Sequence, residues 1–284
     1  MNESPLSTPM PMSTPMPMPM PMPMPMPMPM PMHNAGADLA DAGAVVVGNC
    51  FNSADIETAR RTVLDNVGLM RRTRRNPSSR HLAGFHQYPK LEPLHQMITG
   101  NDLVRETMST LLGPDFRTIG LSDITVNRSQ QWHKDLLRGR FSHHLDPEGN
   151  CANHNGKVLK VLMYLQRSSS LQFVPGSHLR DVPLDSDDSA IPDPGDSVLR
   201  LPVGLGDAVV IDVCTTHRGS SDEELEMMDP GDEPRILIST VFARANCEFA
   251  DRMEVGNAAR LLDWQRREWG VPDENSDDRL RAAP

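Results

Sequence analysis

The chain has 284 residues, with 28 basic against 38 acidic side chains and a formal net charge of −10. An acidic balance of this size lacks the positive field that displaces counterions from a phosphate backbone, which argues against a nucleic-acid partner. No run of about 18 apolar residues exists to span a membrane, so none is expected.

Residues 1–37 form a tail of unusual composition. Twelve of the 26 prolines and twelve of the 19 methionines lie in the first 32 residues, most of them in a Pro-Met repeat. Proline at every second position removes half the amide donors and holds the preceding residues extended, so an arm of polyproline type is expected, outside the fold. The M-x-M spacing of thioethers would also suit a soft ion such as Cu(I), although a simple repeat needs no such purpose. The start lacks the basic flank and continuous apolar stretch of a secretory signal. Cys50, Cys151, Cys214 and Cys247 form no C-x-x-C pair and lead us to expect reduced thiols in a cytoplasmic protein.

Residues 38–284 are expected to form one domain. Gly43 to Val47 reads as a short buried strand. Asn52 or Ser53 then caps a helix that places Ile56, Ala59, Val63, Leu64 and Val67 on one face. An arginine-rich loop follows, with Arg71, Arg72, Arg74, Arg75 and Arg80, whose default reading is a solvated face. A second helix starts at Asn101 and stops at Gly113-Pro114. From there the pattern turns to short β-rich runs: Ile119 to Asn127, Val158 to Gln166, Leu171 to Val174, Ala208 to Val213, and Ile236 to Phe242. Gly-, Pro- and Asp-rich turns between them predict an antiparallel sandwich or barrel. A last helix is expected from about Ala258 to Trp269, with Leu261, Leu262, Gln265 and Trp269 along one side. The fold class is therefore mainly β, with helices before it and one after it.

The stretch Gln130-Gln-Trp-His-Lys-Asp135 carries the chemistry. In a strand, residues two apart share a face, so His133 and Asp135 can hold one ion between them. An imidazole and a carboxylate suit iron, and a second imidazole from a distant strand would complete a 2-His-1-carboxylate triad. His217 is the natural candidate, at the end of the run that starts at Gly206. A dicarboxylic cosubstrate would then want a fixed bidentate cation, and Arg235 opens the next strand. A second H-x-D, His144-Leu145-Asp146, lies in a stretch whose Pro147 and Gly149 argue for loop geometry, and the first pair is preferred. His178 follows a tight turn and is read as stabilising it. His143, His144 and His154 are read as parts of a solvated loop.

The order of H-K-D at 133–135, Lys157-Val-Leu-Lys-Val-Leu-Met-Tyr-Leu165, Leu171-Gln-Phe-Val-Pro-Gly-Ser-His178, Gly206-Asp207, Thr216-His-Arg-Gly219 and Pro234-Arg235 resembles the phytanoyl-CoA dioxygenase family. The resemblance covers roughly residues 43 to 245. It implies a double-stranded β-helix, also called a jelly roll, and dependence on Fe(II), 2-oxoglutarate and O2. It also implies that His133, Asp135 and His217 bind the iron and that Arg235 grips 2-oxoglutarate. Gln130 resembles a polar position that contacts 2-oxoglutarate in some relatives, and Asn127 is read as helping it. The activity implied is hydroxylation of a small-molecule C–H bond with release of succinate and CO2, since halogenating relatives put a small residue in place of Asp135.

Three departures from the family pattern stand out. The gap between His217 and Arg235 is long and acidic, Arg167-Ser-Ser-Ser170 replaces a more usual turn, and Gly219 stands where relatives often carry a hydroxyl, with Ser220 next to it. Two other readings stay open: a cupin-type metal oxygenase that does not use 2-oxoglutarate, and a non-catalytic jelly-roll binding module. Composition gives no oligomeric state.

Overall fold

A computed structural model describes residues 35–72, 77–145, 153–180, 191–228 and 231–268. The Pro-Met repeat, Arg74, Arg75, Asp146, Cys151 and Trp269 lie outside these residues. In chain order the elements are α1 (Ala35–Ala42), β1 (Ala44–Val47), α2 (Ser53–Asp65), β2 (Arg71–Arg72), β3 (Arg80–Ala83), α3 (Glu92–Thr99) and α4 (Asp102–Leu112). There follow β4 (Arg117–Val126), β5 (Val158–Tyr164), β6 (Gln172–Phe173), β7 (Leu199–Arg200), β8 (Ala208–Asp212), β9 (His217–Arg218), α5 (Asp222–Glu226), β10 (Ile236–Ala243) and α6 (Glu248–Glu268).

Seven strands form the larger sheet in the order β1-β8-β5-β10-β4-β3-β2, and three form the smaller in the order β7-β6-β9. Every pairing between these strands is antiparallel. The alternation of side chains along each strand decides what faces what. On β5, Leu159, Val161 and Met163 join Val210, Ile238 and Phe242 against Ile56 and Val63 of α2, Leu94 and Ile98 of α3, and Val104 and Met108 of α4. Leu162 and Tyr164 face the other way and pack with Leu171, Phe173, Val209 and Ile211 between the sheets. Each fully buried aliphatic or aromatic side chain in these layers contributes about 1.5–3 kcal/mol. Lys160 falls on the same inward face as Leu162 by alternation, and that places a charge inside the sandwich.

The expected helix caps are present: Asn52 Oδ1 accepts from Asp55 N and Asn101 Oδ1 from Val104 N, each satisfying an otherwise unpaired first-turn amide. The last helix differs from the expectation. It begins at Glu248, about ten residues early, and Leu262 is 57% exposed and so does not share a buried side with Leu261. Phe249, Ala250 and Met253 of that first stretch close a third apolar layer with Ile119, Leu137, Val158 and Val241. Among the described residues, no helix is long and apolar enough to cross a membrane.

Candidate metal centre

His133 and His217 face each other across an isolated antiparallel bridge, each amide donating to the other's carbonyl at 2.9 Å. Such a reciprocal pair directs both side chains to one side, and the ring centroids are 4.2 Å apart. His217 in β9 is paired on its other flank with Phe173 of β6, so the bridge extends the smaller sheet. The H-K-D segment is thus not a regular strand, as its alternation predicts, but an irregular edge pinned by His133 and by the Asp135 amide, which donates to Val213 O at 2.8 Å.

Both imidazoles are fixed in one tautomer. His133 Nδ1 lies 2.8 Å from Gln131 O and His217 Nδ1 2.8 Å from Thr215 O. A carbonyl only accepts, so each Nδ1 donates and each Nε2 keeps its lone pair. The two Nε2 atoms converge on Asp135, at 3.6 Å from Oδ1 for His133 and 3.5 Å from Oδ2 for His217. One ligand atom from each of the three residues lies within 4.8 Å of the others. Asp135 Oδ2 is buried with no hydrogen-bond partner, whereas Oδ1 accepts from Lys160 Nζ at 2.9 Å. A buried, unsatisfied carboxylate oxygen beside imidazole nitrogens that converge on the same group is costly unless a cation fills the gap. Burial alone would raise the Asp135 carboxyl, but the Lys160 ammonium and the two imidazoles outweigh it and hold the group well below the usual carboxylate range. Burial pushes the His217 imidazole down to about 3. Asp135 is thus ionised and His217 neutral, as a divalent transition metal requires of its ligands, and the set of two imidazoles and one carboxylate fits Fe(II).

Lys160 was not singled out by the sequence reading, although a lone charge in Val-Leu-Lys-Val-Leu-Met is a visible signal. Its ammonium also lies 3.9 Å from Asp123 Oδ2, and Asp123 Oδ1 lies 2.9 Å from His81 Nε2. His81 of β3 and Asp123 of β4 are neighbours only through strand pairing, and local sequence gave no sign of it. A cavity of about 280 Å3 opens over these groups, lined also by Gln130, Arg128, Arg260 and Trp264. A larger cavity, about 510 Å3, carries none of the three candidate ligands but is lined by Arg235, Arg200 and Ser168–Ser170. The Arg167–Ser170 turn, one of the departures from the family pattern, thus borders the arginine.

Arg235 opens the strand after His217, but strand pairing does not bring the two together: β10 pairs with β4 and β5 in the larger sheet, β9 with β6 in the smaller. The contact is made across the sandwich, where Arg235 Nη1 donates to Ser220 Oγ at 2.7 Å. Ser220 is in turn held by Gln130, whose amide donates to Ser220 O at 3.0 Å. Asn127, at φ 45°, accepts from Arg235 N at 2.8 Å through Oδ1 and donates to Arg235 O. The long acidic segment holds α5, capped by Ser221 and anchored by the buried Leu225.

Several of the other histidines and arginines have partners among the described residues. His178 Nε2 donates to Ala40 O at 3.0 Å, tying the Pro-Gly-Ser-His turn to α1. His154 stacks on Phe249, and His143 and His144 end a short 3-10 helix. Arg71 donates to Trp264 O and Arg80 to Pro77 O and Ser79 O.

A family model described as phytanoyl-CoA dioxygenase (PhyH) matches residues 39–222, a stretch that contains all three candidate ligands. The chain belongs to the phytanoyl-CoA dioxygenase family. Arg235 lies beyond the matched stretch of that family. No curated protein matches the chain by sequence. Among solved structures, the chain is similar to the epimerase SnoN in complex with Fe3+, alpha ketoglutarate and nogalamycin RO, at 18% identity and TM-score 0.57, over 75% of this chain and 84% of that one. The carbocyclase SnoK from nogalamycin biosynthesis follows at 16% identity and TM-score 0.55, over 76% and 87% of the two chains. HygX from Streptomyces hygroscopicus, solved with nickel, 2-oxoglutarate and hygromycin B, follows at 14% identity and TM-score 0.53, over 75% and 88%. At these identities the likeness is one of fold, and it makes the two-sheet sandwich a jelly roll of this family.

Proposed function

We propose that residues 38–284 form a single Fe(II)- and 2-oxoglutarate-dependent oxygenase domain that hydroxylates a C–H bond of a small molecule. His133 Nε2, Asp135 Oδ2 and His217 Nε2 would hold the iron. The metal with 2-oxoglutarate and O2 supplies the oxidising power, with succinate and CO2 released. Arg235 and the Ser220 hydroxyl beside it would grip the far carboxylate of 2-oxoglutarate, which suits a planar fork of donors better than a point charge. Asn127 acts one step behind, fixing the backbone at Arg235 from both its amide and its carbonyl. Gln130 lines the metal cavity and, through Ser220, also sets the distance between cavity and clamp.

The observation that carries this reading is the orphaned Asp135 Oδ2, on a carboxylate that meets two imidazoles whose Nδ1 protons are already committed. Epimerase and carbocyclase are the printed activities of SnoN and SnoK, so other oxidative outcomes on this scaffold are the alternatives to hydroxylation. Anaerobic titration with Fe(II) and 2-oxoglutarate, read by the visible absorbance of the complex, tests the assignment. We expect saturation at one iron per chain, and under air succinate formation that Asp135→Ala abolishes. Loss of metal in His144→Ala and its retention in His133→Ala would overturn the site. Iron uptake with no 2-oxoglutarate dependence would leave the cupin-type reading instead.

A further inference from the structure

We propose that the substrate carries an anionic group, a carboxylate or phosphate ester, and that Arg260 of α6 binds it across the cavity from the metal ligands. The proposal rests on the oxygenase reading and adds the substrate class to it. Charge accounting in the cavity is the first argument. Asp135 is paired with Lys160, and Asp123 is engaged by His81 and Lys160. On the oxygenase reading, Fe(II) and Arg235 together are matched by Asp135 and the doubly charged 2-oxoglutarate, and Lys160 is matched by Asp123. Arg260, which acts on Asp123 only from beyond salt-bridge distance, is left without a carboxylate of its own. Among the described residues no carboxylate lies within salt-bridge reach of it.

Its surroundings are the second argument. Arg260 lines the cavity that holds His133 and Asp135. The guanidinium is oriented rather than free to follow solvent: Nη2 donates to Asn257 Oδ1 at 2.6 Å, and Cζ sits 5.2 Å over the Trp264 ring. Asn257 is itself buried and donates to Gly120 O at 2.7 Å, so the arginine is held by a fixed residue of α6. Its Nε is buried and without a hydrogen-bond acceptor. A pre-oriented guanidinium with an unsatisfied N–H, half-withdrawn from water, is the arrangement that a bidentate anion satisfies, and desolvation makes the contact stronger than at a surface. The chain's net charge of −10 makes an unmatched cation at this spot the less expected by composition. Trp264 already meets Arg71, Arg260 and His81, so it serves as the platform that holds the guanidinium rather than as a stacking surface for the substrate.

The test uses the full chain loaded with Co(II), which takes the same ligands without turnover, and saturated with 2-oxoglutarate. Calorimetric titration compares phenyl phosphate and benzoate with uncharged benzyl alcohol. At least one of the two anions is expected to bind the loaded protein at least ten times more tightly than the alcohol. Arg260→Gln should weaken that anion about tenfold or more while leaving Co(II) and 2-oxoglutarate affinities in place. Arg260→Lys, which keeps the charge over Trp264, should lose less. Equal losses in the two variants mean packing rather than charge, and overturn the proposal. So do alcohol binding as tight as anion binding, no anion binding at all, or an Arg260→Gln defect in 2-oxoglutarate affinity, which would assign the arginine to the cosubstrate. In each of these the metal reading survives; a wild-type chain that takes up neither Co(II) nor 2-oxoglutarate sinks both.

Discussion

Lys160 decides how Asp135 presents itself. Its ammonium occupies Oδ1 at 2.9 Å and so leaves Oδ2, 3.5 Å from His217 Nε2, as the oxygen free for the metal. A partner of this kind fixes the orientation of a ligand and keeps it ionised, and losing one typically costs 10–100-fold in metal affinity. We therefore expect Lys160→Met to weaken Co(II) binding by about 10–100-fold, because Oδ1 would be left buried without a donor and the carboxylate would be free to turn. Lys160→Arg restores the charge and should recover part of the loss. A Co(II) titration of Lys160→Met that matches wild type would show that Asp135 is held by the metal alone. The same residue marks the limit of sequence reasoning at this scale. His133, Asp135 and His217 were legible because metal chemistry restricts the residue types, and a lysine that supports a carboxylate from another strand has no such restriction.

At the scale of elements, the junction between α1 and β1 braces the metal centre from behind. Gly43 has φ 85°, and a Cβ there would lie 2.4 Å from Thr215 Oγ1 and 2.6 Å from His178 Nδ1. Thr215 Oγ1 donates to Gly43 O at 2.9 Å, and Thr215 O is the acceptor that orients His217. Gly43→Ala thus combines left-handed backbone strain, roughly 1–3 kcal/mol, with a push on the residue that fixes a ligand. Chemical denaturation should show the loss of stability, and Co(II) affinity should fall with it; an unchanged Co(II) affinity in a destabilised variant would separate the brace from the site. The strands of the sandwich were legible because β-branched runs alternate with turn residues over five to ten positions, as in β4, β5, β8 and β10. The elements that went unread are short or composite. α3 has eight residues with Pro93 in its first turn, β2 and β7 have two each, and Gly256 in mid-helix hides the first half of α6. That glycine lets α6 approach the segment before the second H-x-D, since a Cβ there would lie 2.2 Å from Leu137 Cδ1 and 2.9 Å from His144 Cβ. The approach sets Arg260 and Trp264 over the cavity, a placement that depends on tertiary packing and leaves no local pattern.

For the whole molecule, the buried histidines make stability depend on acidity in one direction. Burial lowers the pKa of His81, His86 and His95, and takes His217 from 6.5 to about 3. A group whose folded pKa lies below its unfolded value leaves the unfolded chain with more bound protons. Its contribution is present above pH 6.5 or so and is lost as pH falls toward the folded value. Asp123 and Asp135 are depressed as well, for their cationic partners outweigh burial, but their loss starts only below the ordinary carboxylate range. Asp212 runs the other way: burial raises it, so protonation relieves a penalty, and this acts from the ordinary carboxylate range upward. Between about pH 7.5 and about pH 5 the four histidines act together, and Asp212 opposes them. A fully buried imidazole that stays neutral costs roughly 2 kcal/mol by pH 5, and each kcal/mol shifts the melting temperature of a domain this size by about 2–4 °C. We expect the metal-free chain to melt several degrees lower at about pH 5 than at about pH 7.5 in calorimetry. His81→Phe should flatten part of that slope, for the ring keeps its contact with Trp264 and cannot take a proton. A melting temperature that is level or rises on acidification would mean that protons enter the folded site freely, and the dry interior from which the metal centre draws its ligand chemistry would not exist.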